Sequence, residues 1–188
     1  MTPGLVLLDE PSWAGSRFVG DRSVELLAAL VLAGAAGLGV DALIDDLWPD
    51  EPPANGAKAL QVVVSRARKA TDPSVIERTA HGYRLGTAAV DALVLATAVA
   101  QAERSLRDGS VRDAIDTSQA ALAVAVSATE GPGLLSRLRE QARAAQQRAR
   151  RVLALALAQG GAPAEALPEL ERVAAVDPAD EEVLAALL

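Results

Sequence analysis

The sequence predicts an α+β chain that is mostly α, made of a small mixed domain followed by an all-α, helical-repeat domain. Three observations predict it. Apolar residues recur with a helical period over most of the 188 residues. The period shortens to two in one stretch after Asp72-Pro73. Beyond Val90 the text breaks into helices of about 10–17 residues joined by Gly or Asp-Pro turns, which is how stacked helix pairs read.

The elements follow in order. The run Leu5-Val6-Leu7-Leu8 before Pro11, and Arg17-Phe18-Val19 before Gly20, read as two small strands. From Asp21 to Ala33 the apolar positions 24, 27, 28 and 31 give an amphipathic helix that Gly34, Gly37 and Gly39 end. A short helix from Val40 to Leu47 sets Leu43, Ile44 and Leu47 on one face, and Trp48-Pro49 stops it because proline has no N–H for the ladder. After Asp50-Glu51-Pro52-Pro53, Asn55 is a good N-cap for a third helix running to about Thr71. Val75 to Leu85, with His81-Gly82 near the turn, reads as a β-hairpin. Helix, turn, short helix, capped helix and hairpin in this order make a winged helix-turn-helix domain, placed at residues 1–86.

Residues 90–188 read as TPR-like. Helices are expected at Asp91–Arg107, from Val111 to about Val126, at Leu134–Gln159, at Pro163–Val176, and from Asp180 onward. The last helix ends in apolar residues without a polar cap, so this domain is expected to be truncated or covered at that end.

Composition narrows the function. Hydrophobic residues are 51% and aromatics 2%, a core of Ala, Leu and Val. The chain has no cysteine, which excludes disulfides and thiolate metal sites and suits a reducing, cytoplasmic setting. The N-terminus lacks the pattern of a signal peptide. The most apolar run, Val24 to Val40, is interrupted by Glu25 and three glycines and falls short of the ~20 residues of a membrane span, so no membrane partner is expected. One histidine and no assembled ligand set predict no catalytic site, no metal and no cofactor. Neither Gly131-Pro132-Gly133 nor Gly34 to Gly39 carries the Lys and Ser/Thr of a phosphate-binding loop.

The net charge of −7 argues superficially against nucleic acid, but its distribution reverses that impression. Residues 1–54 carry −7, residues 55–85 carry +4 and residues 86–188 carry −4. An electrostatic footprint is local, so the basic block matters more than the total. On the third helix, at about 100° per residue, Leu60, Val63, Val64 and Ala67 gather on one side. Lys58, Gln61, Val62, Ser65, Arg66 and Lys69 gather on the other. That outer face has the chemistry of a major-groove reader. Arg pairs with guanine, Gln with adenine, and Val touches a thymine methyl. Lysines near the two ends suit phosphates. Arg68 belongs to the same basic run, and Arg78, His81 and Arg84 form a second basic spot on the hairpin. A plain solvated helix face is the competing reading of these cations.

The chain also resembles a known family, through Leu43-Ile44-Asp45-Asp46-Leu47-Trp48, Pro52-Pro53, Ala59 to Lys69, and Gly82-Tyr83-Arg84-Leu85. These look like the SARP/AfsR-type regulators, in which an OmpR-type winged helix precedes a TPR-like bacterial transcriptional activator domain (BTAD). In the second half the resemblance rests on Val90-Asp91-Ala92, on Gly131-Pro132 and on the Gly and Asp-Pro punctuation after residue 159. The resemblance implies a recognition helix from Asn55, a wing around His81, binding to direct repeats in double-stranded DNA, and recruitment of RNA polymerase. A homodimer on DNA is a further expectation. The chain departs from the family pattern at Lys58, at Ala67 where leucine is usual, at His81, and at Pro168, which is expected to interrupt a helix.

Trp48 and Tyr83 are expected to seal the small core. Asp45-Asp46 and Glu181-Glu182 are expected to be solvated, with acids around 41–51 free to face polymerase. Two rival readings stand beside the DNA-binding regulator. One is a helical-repeat interaction scaffold whose winged helix does not bind DNA. The other is the regulatory front end of a larger AfsR-like ATPase.

Overall fold

The computed structural model describes residues 4–128 and 133–188. The chain is α+β and mostly α, and it divides into two compact units. The first holds the described residues up to Leu93 with those of Val126–Glu140; the second holds Val94–Ala125 and Gln141–Leu188.

The first unit opens with three short strands, β1 (Leu5–Val6), β2 (Ser12–Trp13) and β3 (Ser16–Arg17), in an antiparallel sheet of that order. Two strands were expected here. The third arises because Ala14 and Gly15 turn the chain between Trp13 and Ser16 with φ of 46° and 84°. Positive φ at both central residues is what a type I′ two-residue hairpin requires, and alanine at the first position hides it from a reader of sequence.

Helix α1 (Asp21–Ala33) buries Leu26, Leu27, Leu30 and most of its other apolar residues, and packs against α2 (Val40–Leu47) and α3 (Gly56–Ala70). These three helices have the expected bounds to within a residue. After α1 the glycines do more than end it: a 3-10 turn, Gly34–Ala36, leads into the unforeseen strand β4 (Leu38–Gly39). Strands β5 (Ile76–Arg78) and β6 (Gly82–Leu85) form the expected hairpin, and β6 lies antiparallel between β4 and β5. Gly82 permits this approach, since a Cβ there would sit 1.9 Å from the Leu38 carbonyl oxygen.

Two helix starts belong to this unit as well. Helix α4 (Asp91–Arg107) begins with a buried carboxylate: Asp91 accepts hydrogen bonds from the amides of Leu7 (3.0 Å), Leu8 (2.8 Å) and Ala92 (2.8 Å). Burial pushes the Asp91 carboxyl above its ordinary range, against the pull of those amides and of the Arg139 charge. Helix α6 (Leu134–Gln159) begins on Glu25 of α1, whose Oε2 accepts from the amides of Leu134 (2.7 Å) and Leu135 (3.2 Å). Gly133 precedes it at φ 118°, and a Cβ there would meet Glu25 Oε1 at 2.9 Å. Arg139, 6% exposed, donates to the Asp9 carbonyl.

The second unit holds the rest of α4 and α6 with α5 (Val111–Leu122), α7 (Pro163–Val176) and α8 (Glu181–Ala186). Ala102, Ala114, Val152 and Ala156 form one buried cluster where α4, α5 and α6 meet. Leu153, Leu157, Leu170, Val173 and Val183 anchor a second among α6, α7 and α8. Helix α5 stops at Leu122, short of the expected Val126, and the Gln146 amide takes the Val124 carbonyl at 2.7 Å. Pro168 does not interrupt α7. It and Ala164, whose carbonyl loses its ladder partner, both lie on the exposed side of the helix.

Asp180 caps α8 by accepting from the Val183 amide at 3.2 Å, and it is clamped by Arg151 through Nε (2.5 Å) and Nη2 (3.0 Å). Glu182 is exposed, as expected, and also joins the same guanidinium at 2.8 Å. Its partner lies 31 residues away in sequence, which a reading of neighbours misses. The expected Gly131-Pro132 turn lies outside the described residues. Among the described residues no helix is long and apolar enough to cross a membrane.

Candidate nucleic-acid interface

The site is built on α3. Asn55 starts the helix, its Oδ1 accepting from the Lys58 amide at 2.9 Å. Arg68 and Lys69 in the last turn suit the negative end of the helix dipole. Leu60 (1% exposed), Val63, Val64 and Ala67 (0%) turn inward. Ala67, where the resemblance leads one to expect leucine, is completely covered.

Lys58, Gln61, Val62, Ser65, Arg66 and Lys69 are all exposed and together line one shallow recess on the opposite side. The structure thus brings these six candidates onto one surface. Among the described residues, the charged ends of Lys58, Arg66 and Lys69 have no hydrogen-bond or ion-pair partner. They present bare cations to solvent, which is how a phosphate or base-edge reader stands before its ligand arrives.

Arg68 is placed differently. Half-buried, it donates from Nε (3.0 Å) and Nη2 (2.6 Å) to the Ile76 carbonyl, and its guanidinium carbon lies 5.9 Å from the Tyr83 ring centre. It ties the end of α3 to the hairpin rather than pointing outward with its neighbours. Tyr83, 6% exposed, is buried as expected. Trp48 is only half-buried, and Arg22 lies 5.6 Å over its ring while donating to the Leu47 carbonyl.

The hairpin carries the remaining candidates, outside the α3 recess. Its turn is closed by the Thr79 amide on the Gly82 carbonyl (2.9 Å) and by the Gly82 amide on Thr79 Oγ1 (3.0 Å). His81 sits exposed in that turn, and its own carbonyl accepts from the Val40 amide at 3.1 Å. Arg78 is exposed and without a side-chain partner among the described residues. Arg84 is held by Glu77 at 2.7 and 2.9 Å on the surface, a pair weak enough to be exchanged for a phosphate.

Sequence reasoning missed a groove beside the recess. It has a volume of 380 Å³ and is lined chiefly by Val19, Arg22, Trp48, Ala59, Val62 and Arg66. Val19 is 96% exposed. Its position just before α1 is the only signal in the sequence, and an apolar residue before a helix ordinarily packs inward.

The fold and this surface define a class: a winged helix-turn-helix unit followed by a TPR-like helical domain. Within that class the chain is similar to the SARP/AfsR-type regulators. Regulatory protein AfsR of Streptomyces coelicolor is 37% identical over 100 residues, 52% of this chain and 10% of that protein. A solved structure of Mycobacterium tuberculosis EmbR in complex with a low affinity phosphopeptide superposes with a TM-score of 0.76 at 23% identity, over 98% of this chain and 53% of that one. The chain therefore spans a tenth of the curated relative and about half of the solved one. No family model matches it.

Proposed function

We propose that this chain is the DNA-binding and regulatory part of a cytoplasmic transcriptional regulator that recognises sequence in double-stranded DNA, an activator at promoters with direct repeats. The observation that carries the reading is the face of α3: three unpaired cations, an amide, a hydroxyl and one aliphatic side chain, on a helix whose other side is core. The helix enters a major groove. Gln61, Ser65 and Arg66 meet base edges there, while Lys58 and Lys69 near its ends meet phosphates. Arg78, His81 and Arg84 on the hairpin meet the neighbouring backbone or groove. The winged helix spans residues 1–86 and the helical domain residues 90–188. The likeness to AfsR supports the regulatory role, and the exposed acids Asp45, Asp46, Asp50 and Glu51 are the surface offered to RNA polymerase. A single copy binds weakly, so a dimer on repeated half-sites supplies the affinity.

The test is a DNA titration at two salt concentrations. Replacing Lys69 by Ala weakens binding to all sequences about equally and flattens the salt slope by about one unit. Replacing Arg66 by Ala costs ~1–3 kcal/mol and relaxes the preference at one base. If both variants behave as wild type at both salt concentrations, α3 does not read DNA.

A further inference from the structure

We infer that a cavity beside the start of α1 binds a small zwitterionic metabolite with an apolar body, its carboxylate on Arg139 and its ammonium group by Asp9 and Asp21. This site shares no residue with the α3 recess and does not depend on what that face binds.

The cavity has a volume of 510 Å³, within the range of about 300–1,000 Å³ usual for small-molecule sites. Its walls come from the chain on either side of the β2–β3 hairpin, the first turns of α1 and the first turns of α6, all within the first unit.

Arg139 decides the ligand's polar end. Only 6% exposed, it lines the cavity and donates to the Asp9 carbonyl. It makes no other hydrogen bond or ion pair among the described residues, and its Nε is buried without an acceptor. Asp91 lies close enough for the two charges to interact, but its oxygens are taken by the amides of Leu7, Leu8 and Ala92. A buried cation with unmet donors is unfavourable, and an acceptor brought by a ligand relieves it. A carboxylate oxygen is a strong acceptor for a guanidinium.

The remaining charges exclude a simple anion. Four carboxylates border the cavity against two guanidiniums. Glu10 is paired with Arg17, and Glu25 accepts from the first amides of α6. The carboxylates of Asp9 and Asp21 are exposed and have no partner among the described residues. An anion on Arg139 is repelled by these two, and a positive group on the same molecule turns that repulsion into attraction. Pro11, Phe18, Val24 and Leu135 supply the apolar part of the wall, which suits a hydrocarbon or aromatic body rather than a sugar.

Three probes separate these parts: L-tryptophan, indole-3-propionate, which lacks only its amine, and tryptamine, which lacks only its carboxylate. Binding to the full chain is measured by calorimetry, and the place of binding by NMR shifts at Phe18 and Leu135. Tryptophan is expected to bind most tightly. Losing the carboxylate weakens binding about tenfold or more. Losing the amine weakens it by up to about fivefold, because the acids it meets are exposed. Replacing both surface acids, Asp9→Asn with Asp21→Asn, abolishes the advantage of tryptophan over indole-3-propionate. Arg139→Gln abolishes binding of both acids; if that variant fails to fold, the double variant decides alone. Equal affinity for the three probes, no binding of tryptophan at millimolar concentration, shifts confined to other residues, or an undiminished advantage in the double variant overturns the proposal.

Discussion

Replacing Arg68 by Ala separates a structural arginine from a DNA-contacting one. In the structure its guanidinium gives two hydrogen bonds to one carbonyl, that of Ile76, at 3.0 and 2.6 Å, and lies 5.9 Å from the Tyr83 ring centre. Charged donors to a carbonyl contribute about 1.5–3 kcal/mol, shared here over one acceptor. The ring contact adds roughly 0.5–1 kcal/mol at a partly exposed position. The expected loss is therefore ~2–4 kcal/mol. For a chain of this size each kcal/mol lowers the thermal midpoint by about 2–4 °C, so Arg68→Ala melts about 4–16 °C below wild type by circular dichroism. Arg68→Lys keeps the charge but not the fork, and recovers only a small part. DNA affinity falls through the misplaced hairpin and the backbone contacts it carries, so the lowered melt, rather than the salt slope, marks Arg68 as structural. The opposite pattern refutes the reasoning: a wild-type melt with a salt slope flattened by one unit makes Arg68 a phosphate contact like Lys69.

Two further outcomes follow from other contacts. Glu25→Ala removes the acceptor for the first amides of α6, costs about 1 kcal/mol as the loss of a helix cap, and speeds hydrogen exchange at Leu134 and Leu135; unchanged protection there shows the cap is not needed. Asp180 is held below the ordinary carboxylate range, first by its hydrogen bonds from Arg151. A depressed folded value means that its contribution is complete above the unfolded value of about 3.9 and disappears as pH falls through the folded one. Asp180→Asn is therefore less stable than wild type at neutral pH, and the gap closes in strong acid. The measured quantity is the difference between the two proteins, because Asp91 is shifted upward and contributes with the opposite sign. A gap that stays constant down to pH 2 shows that the clamp does not depend on the Asp180 charge.

Much of this molecule was legible because local chemistry decided it. Trp48-Pro49 fixed the end of α2, Asn55 fixed the start of α3, and helical periodicity alone separated Leu60, Val63, Val64 and Ala67 from the outer face. Failures came where a distant partner decides. Strand β4 is two residues among glycines and exists because Gly82 lets Leu38 approach, a fact carried by the other strand. Glu25 read as a flaw in an apolar helix, yet its partners are amides 109 and 110 residues away. Arg68 was grouped with the outward cations, although the helical wheel sets it at their edge; the Ile76 carbonyl turns it inward. Val19 could not be read as exposed, since nothing in its neighbours says that the loop before α1 leaves it uncovered.

The chain's charge of −7 bears on how such a face works. At physiological ionic strength fields between exposed charges fade over about 8 Å. Lys58 and Lys69 stand eleven residues apart, about 16 Å along α3, so each meets its own phosphate with little help from the other. The same unit exposes Asp21, Asp45, Asp46, Asp50 and Glu51 on α1, α2 and the loop after it. On the proposed reading, a duplex that approaches those acids is repelled, whereas one on α3 meets three cations, with Asp21 beside them in the flanking groove. The acids thus weaken binding away from α3 more than on it. They thereby widen the gap between specific and random binding at the expense of absolute strength.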